Sequence, residues 1–140
     1  MKNATLIFGL LMAAGFSTTA SAHDYGGTLG SAASATDKFY ITCAAGTAKF
    51  TYQIRRNAGT PKVAAKSTVP VGAVTTATKT GTFSPLITVN TSSGAKFFQV
   101  NKNPAASGTN SYTLRMHCYD ANNLHDPNDQ PSSVTYIQNQ

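Results

Sequence analysis

The sequence predicts an all-β protein, an antiparallel β-sandwich of about seven to eight strands that follows a cleaved signal peptide. Three observations support this prediction. Apolar and polar residues alternate along most of the chain beyond residue 22, which is the period of half-buried strands. Glycine, proline and asparagine turn signals recur between those stretches. Apolar residues at helical spacing are nearly absent there, so no helix is expected.

The first 22 residues have the three parts of a secretory signal peptide. Lys2 is basic, residues 4–15 are apolar, and small residues stand at Ala20 and Ala22 before the expected cleavage site. The apolar run is shorter than the ~20 residues of a membrane-spanning helix, and no later stretch replaces it, so no transmembrane anchor is expected. The sequence predicts a secreted or periplasmic protein of bacterial type whose mature chain begins at His23.

The mature chain is predicted to hold one domain, because no linker divides it. Residues 23–37 are expected to form an N-terminal segment, and residues 38–140 the sandwich. In residues 38–43 and 49–55 the apolar side chains fall on one face of each strand. These two consecutive strands are predicted to form an antiparallel pair joined by a turn at residues 44–47.

Later strands are predicted from the same alternation. They cover residues 63–69, 74–79, 86–90, 96–101, 112–119 and 134–138. In the strand over residues 112–119, Met116 and Cys118 share the apolar face, whereas Arg115 and His117 face the other way. Cys118 is therefore expected to face the core.

The chain has two cysteines, Cys43 and Cys118, and export favours a disulfide between them. Both lie on apolar strand faces, so the bond most simply links two inner faces, or the first strand to a late one, across a sandwich. This arrangement resembles immunoglobulin-like domains, where an early cysteine pairs with one on a late strand. The chain has no Trp, and Met116 stands where antibody-type domains have Tyr, so the resemblance is architectural.

The charge composition of the chain indicates few classes of binding partner. Charged residues make up 11% of the chain, and the formal charge is +6 with no Glu. The basic residues are scattered, with only Arg55 and Arg56 adjacent, so no nucleic-acid partner is expected. A mild attraction to anionic cell-surface polymers is expected. An exposed strand such as 134–138 leaves self-association open, and a protein partner is unknown.

The histidines and carboxylates concentrate in two places. All three histidines and four of the five carboxylates fall in residues 23–24 and 117–129. Histidine suits copper, zinc and nickel, whereas carboxylates and amides suit calcium or magnesium. The candidate metal-binding residues are His23, His117, His125, Asp120 and Asp126.

Copper is the first metal hypothesis. After cleavage, His23 offers an α-amino nitrogen and an imidazole together, and His117 or His125 could add a third nitrogen, a set that favours Cu(II). In that one feature the chain is similar to exported copper proteins whose mature chain begins with His, including small periplasmic sandwich domains. The alternative is that the histidines simply lie on a flexible terminus, a solvent-facing strand and a loop.

Calcium is the second metal hypothesis, since one loop could present several oxygens to a hard cation. Its candidate ligands are Asp120, Asn122, Asp126, Asn128 and Asp129. An EF-hand is excluded, because its fifth and sixth positions hold Leu124 and His125. The alternative is that these residues only build turns.

The sequence indicates no enzyme, because it has neither a G-x-S-x-G turn nor an H-E-x-x-H pair. Parity directs Tyr40 and either Phe97 or Phe98 outward, and such a pair can stack on sugars or on a partner unless a loop covers it. The function expected first is an exported, non-enzymatic surface, structural or binding module, with copper binding as the alternative.

Overall fold

The computed structural model describes residues 23–125 and 135–138, and in this part of the chain there are strands and no helix. The predicted signal peptide lies outside the described residues, as do Asp126, Asn128 and Asp129. No helix able to span a membrane occurs in the described part.

In residues 23–125 and 135–138, nine strands form two antiparallel sheets that pack face to face. The strands are β1 His23–Leu29, β2 Thr36–Cys43, β3 Thr47–Ala58, β4 Val63–Val69, β5 Thr75–Ala77, β6 Ile87–Asn90, β7 Gly94–Lys102, β8 Asn110–Asp120 and β9 Thr135–Gln138. The first sheet has the order β1-β8-β3-β6, and the second has the order β5-β4-β7-β2-β9. The predicted all-β fold of two sheets is confirmed.

The predicted pairing of the first two sandwich strands is wrong. β2 pairs with β7 and β9 in the second sheet, whereas β3 pairs with β6 and β8 in the first. The turn at residues 44–46 therefore carries the chain from one sheet to the other. Alternation shows which side of a strand is buried but not which strand lies beside it.

The N-terminal segment also differs from the expectation. Residues 23–37, set apart from the sandwich in sequence, contain β1, which pairs with β8 along its whole length from His23 to Leu29. Tyr25 and Leu29 are buried, so β1 contributes to the core. The two consecutive glycines Gly26 and Gly27 interrupt the apolar alternation that would have indicated a strand.

Aromatic rings from both sheets fill the core. Phe39 and Phe98 of the second sheet stack at 5.7 Å, and Phe50 of the first sheet meets Phe98 edge to face at 5.5 Å. Each ring is at most 2% exposed. Burying a side chain of this size stabilises the fold by about 1.5–3 kcal/mol relative to leaving it in water.

The predicted disulfide between Cys43 and Cys118 is confirmed. Cys43 ends β2 in the second sheet, and Cys118 lies on β8 in the first, so the bond crosses the sandwich. Both cysteines are buried. The bond holds β8 in place directly beside His117.

Candidate functional site

His117 lies near the end of β8 and faces away from the core. Its neighbours Met116 and Cys118 are buried, whereas His117 is half-buried, as the strand alternation requires. The predicted parity of this strand is confirmed. His117 therefore presents its ring on the outer face of the first sheet.

A tight turn brings His125 back beside β8. The carboxylate Oδ1 of Asp120 accepts hydrogen bonds from the backbone N–H groups of Asn122 and Leu124, each at 2.8 Å. Asn123 adopts a φ of 64°, a conformation that Asn tolerates better than most residues. His125 then forms a β-bridge with Tyr119. Asp120 thus caps the turn that positions His125.

His23 reaches the same place from the chain's first described strand. The register of β1 sets His23 opposite Met116, the chain neighbour of His117, and both side chains start from the buried face of the sheet. The ring centroid of His23 lies 5.8 Å from that of His117 and 5.2 Å from that of His125. The side chain is buried. The three sequence-predicted histidines, His23, His117 and His125, form one group, called here the histidine cluster.

Two members of the cluster are in direct contact. Nδ1 of His117 lies 2.8 Å from Nε2 of His125, and the ring centroids are 4.8 Å apart. A hydrogen bond between two imidazole nitrogens requires a proton on one and a lone pair on the other. One of the two facing nitrogens therefore carries the proton of this hydrogen bond, and the other accepts it.

Burial lowers the pKa of two imidazoles of the cluster, His117 and His23. Removal from solvent, together with repulsion from His125 and His23, lowers the pKa of His117 to about 4. Burial also lowers the pKa of His23, partly offset by the negative charge of Asp24. At neutral pH the His117 imidazole is therefore neutral and keeps a lone pair.

An ion pair borders the cluster. Arg115 Nε and Nη2 donate to the two carboxylate oxygens of Asp24 at 2.6 and 2.9 Å. The Arg115 guanidinium also lies over the ring of Phe83 at 4.2 Å. Sequence reasoning missed this contact, because it depends on the β1–β8 register that sets Asp24 opposite Arg115.

Tyr119 and Lys49 form the other side of the cluster. The Tyr119 ring lies 5.7 Å from the His125 ring and 6.0 Å from the His117 ring. Lys49 sits over Tyr119 at 5.6 Å and donates to the side-chain oxygen of Asn123 in the turn. This arrangement braces the turn that carries His125.

In the described part of the chain, the side chains of the cluster are not arranged to coordinate a metal ion. No three histidine, cysteine, aspartate or glutamate side chains are arranged there to hold a metal ion as they stand. Of the predicted ligands, His23, His117 and His125 come together, and Asp120 is engaged in the turn. A third nitrogen would have to turn toward the His117–His125 pair.

No protein-family model, curated protein or solved structure matches this chain. The function of the histidine cluster is therefore argued from its own geometry and chemistry.

Proposed function

We propose that this protein is an exported copper-binding β-sandwich in which His23, His117 and His125 bind one Cu(II) ion. The observation that carries the proposal is the 2.8 Å separation of the facing His117 and His125 nitrogens. Two nitrogens each about 2.0 Å from one metal ion lie about 2.8 Å apart at a right angle and about 3.3 Å apart at the tetrahedral angle. The two nitrogens are thus close enough to bind one ion together, and the choice of Cu(II) is supported by its affinity for nitrogen ligands.

The protonation state of the cluster supports metal binding. A metal needs a deprotonated imidazole nitrogen, and the pKa of His117, lowered to about 4, provides one at neutral pH. For both facing nitrogens to bind copper, the ring that donates the hydrogen bond would have to carry its proton on its other nitrogen instead, and both imidazoles would stay neutral. Among divalent first-row metals, Cu(II) also has the highest general affinity for nitrogen ligands.

His23 would complete the site. If the signal peptide is removed after Ala22, His23 carries both an α-amine and an imidazole that can chelate one ion. Pairing of β1 with β8 already holds its ring within 6 Å of both other rings. Because His23 is paired with the inward-facing Met116, its side chain would have to turn at the edge of the sheet to bring the third nitrogen in.

The proposed role is binding and not catalysis, one form of the exported, non-enzymatic module that the sequence predicts. The disulfide supports export, since such bonds persist in oxidising compartments. We also propose an immunoglobulin-like arrangement, supported by a disulfide that joins an early strand of one sheet to a late strand of the other. Calcium is not proposed, because Asp120 Oδ1 already accepts two backbone hydrogen bonds.

The test is a Cu(II) titration of the processed, metal-free protein in the presence of glycine as competitor, with the N-terminal residue identified by mass spectrometry. We expect one equivalent of Cu(II) to be retained with nitrogen hyperfine structure in its electron paramagnetic resonance spectrum. His117→Asn and His125→Asn should each weaken binding by at least about tenfold, which is the loss of one good ligand. Gln53→Asn, on the same sheet face, is the matched control and should bind as the parent does.

A chain with one alanine added before His23 keeps all three rings and blocks the α-amine. We expect it to bind copper more weakly than the processed protein. A processed protein that retains no copper against glycine would refute the proposal, as would equal affinities for the parent and both histidine variants.

A further inference from the structure

The outer face of the second sheet, on the opposite side of the sandwich from the histidine cluster, carries two adjacent cross-strand rows. The first row consists of Lys38 on β2, Gln99 on β7 and Lys66 on β4, which the registers set opposite one another. The second row contains Tyr40 on β2 and Phe97 on β7, which also pair directly. These five residues are called here the platform.

The aromatic row lies on the outer face of the second sheet. The Tyr40 and Phe97 ring centroids lie 5.4 Å apart with a 40° tilt, and both side chains are half-buried. Their chain neighbours Phe39 and Phe98 are buried in the core. The sequence expectation that Tyr40 and one of Phe97 and Phe98 face outward is thus confirmed, and the outward member is Phe97.

A shallow cavity of about 240 Å³ lies where the two rows meet. Its lining consists of Lys38, Thr68, Phe97, Phe98 and Gln99. It therefore combines an aromatic ring, an ammonium group and a side-chain amide. An amide can donate and accept hydrogen bonds at once, which suits a ligand rich in hydroxyl groups.

The charged residues of the platform are both positive. Lys38 and Lys66 lie two strands apart, about 9–10 Å, with Gln99 between them. The carboxylates of the described residues are engaged elsewhere: Asp24 with Arg115, Asp37 with the buried Tyr112 hydroxyl, and Asp120 in its turn. In the part of the chain that the structure describes, no acidic side chain offsets the two lysines on this face.

We infer that the platform binds an acidic polysaccharide. The C–H faces of its sugar rings would stack on Tyr40 and Phe97, its carboxylates would pair with Lys38 and Lys66, and its hydroxyls would bond to Gln99. A lipid surface fits less well, because the half-buried rings of Tyr40 and Phe97 do not project for insertion into a bilayer. This inference needs no copper and stands apart from the proposed function.

The experiment measures binding of the processed full chain to polygalacturonate oligomers by calorimetry, with EDTA present so that copper cannot bridge protein and sugar. Neutral dextran and anionic phospholipid vesicles are the comparison ligands. Two double variants test the platform, Lys38→Gln with Lys66→Gln, and Tyr40→Thr with Phe97→Thr. The matched control is Lys62→Gln with Lys79→Gln, which removes the same charge from exposed positions outside both rows.

We expect saturable binding to polygalacturonate and none to dextran. Each platform double variant should weaken it by about tenfold, while the control stays within about twofold. Thermal melts of all variants show whether each remains folded. If the aromatic double variant is unfolded, the lysine double variant alone tests the inference. An equal loss of affinity in the lysine double variant and in the control would show that binding depends only on the net positive charge of the protein, and would overturn the inference. Binding to vesicles but not to polygalacturonate would overturn it in favour of a membrane.

Discussion

His117 Nδ1 and His125 Nε2 lie 2.8 Å apart although their residues belong to a strand and to the segment that follows its turn. The turn between them is held by Asp120, whose Oδ1 accepts two backbone hydrogen bonds. The position of one cluster nitrogen therefore depends on a carboxylate outside the cluster.

Asp120→Ala should weaken Cu(II) binding without removing a ligand. Loss of two hydrogen bonds to a carboxylate oxygen frees the turn, and we expect copper affinity to fall by about tenfold as His125 loses its fixed position. The measurement is the same glycine-competition titration. Asp120→Asn keeps an oxygen at the capping position and is the matched control. Equal affinities for Asp120→Ala and the parent would show that the turn does not position His125.

The metal-free protein should lose stability as the pH falls from about 6.5 to about 4. The folded pKa of His117, about 4, lies below its unfolded value of 6.5, so the unfolded chain binds the extra proton first. The contribution of this residue to the free energy of unfolding is fully present above pH 6.5 and declines toward pH 4, by less than about 3 kcal/mol because solvent reaches the half-buried ring. His23, whose pKa is also lowered, contributes in the same direction.

Urea unfolding in EDTA at several pH values measures this effect. His117→Asn removes the titrating ring, so its stability should change less over the same pH range. An identical pH dependence in the parent and His117→Asn would contradict the assignment to His117.

Reduction of the Cys43–Cys118 disulfide should destabilise the fold. The bond closes a loop with a sequence separation of 75 residues, for which the chain-entropy relation gives an upper value of about 4.5 kcal/mol. Chemical denaturation with and without a reducing agent measures the difference. A cost below about 1 kcal/mol would indicate that the reduced unfolded chain is already restrained.

Tyr112→Phe should cost more stability than Tyr52→Phe. The Tyr112 hydroxyl donates to the buried Asp37 carboxylate at 2.6 Å, across the interface between the sheets, whereas Tyr52 donates to the backbone carbonyl of Ala73. A hydrogen bond to a charged group contributes about 1.5–3 kcal/mol and a neutral one about 1 kcal/mol. Thermal and urea unfolding of both variants compare them directly, and a larger loss for Tyr52→Phe would be the contrary result.

Much of the fold could be predicted from alternation. The alternation predicts a strand over residues 63–69, which form β4 with those bounds, and the inward parity of Cys118 predicts the disulfide. The partner of each strand could not be predicted, because a period of two identifies the buried face and not the neighbour. This is why the alternation predicts one hairpin for β2 and β3 although they lie in different sheets.

The histidine cluster is likewise only partly predictable from the sequence. Local chemistry in the sequence singled out His23, His117 and His125 as nitrogen donors and Tyr40 as an outward ring. Their assembly is a long-range result: pairing of β1 with β8 and the capped turn after Asp120 bring three histidines separated by up to about a hundred residues into contact. The sequence by itself determined the strand faces, the disulfide partners and the kinds of donor available. Only the tertiary structure decided which donors meet, because strand register over such separations is set by packing of the whole sandwich and not by any local pattern.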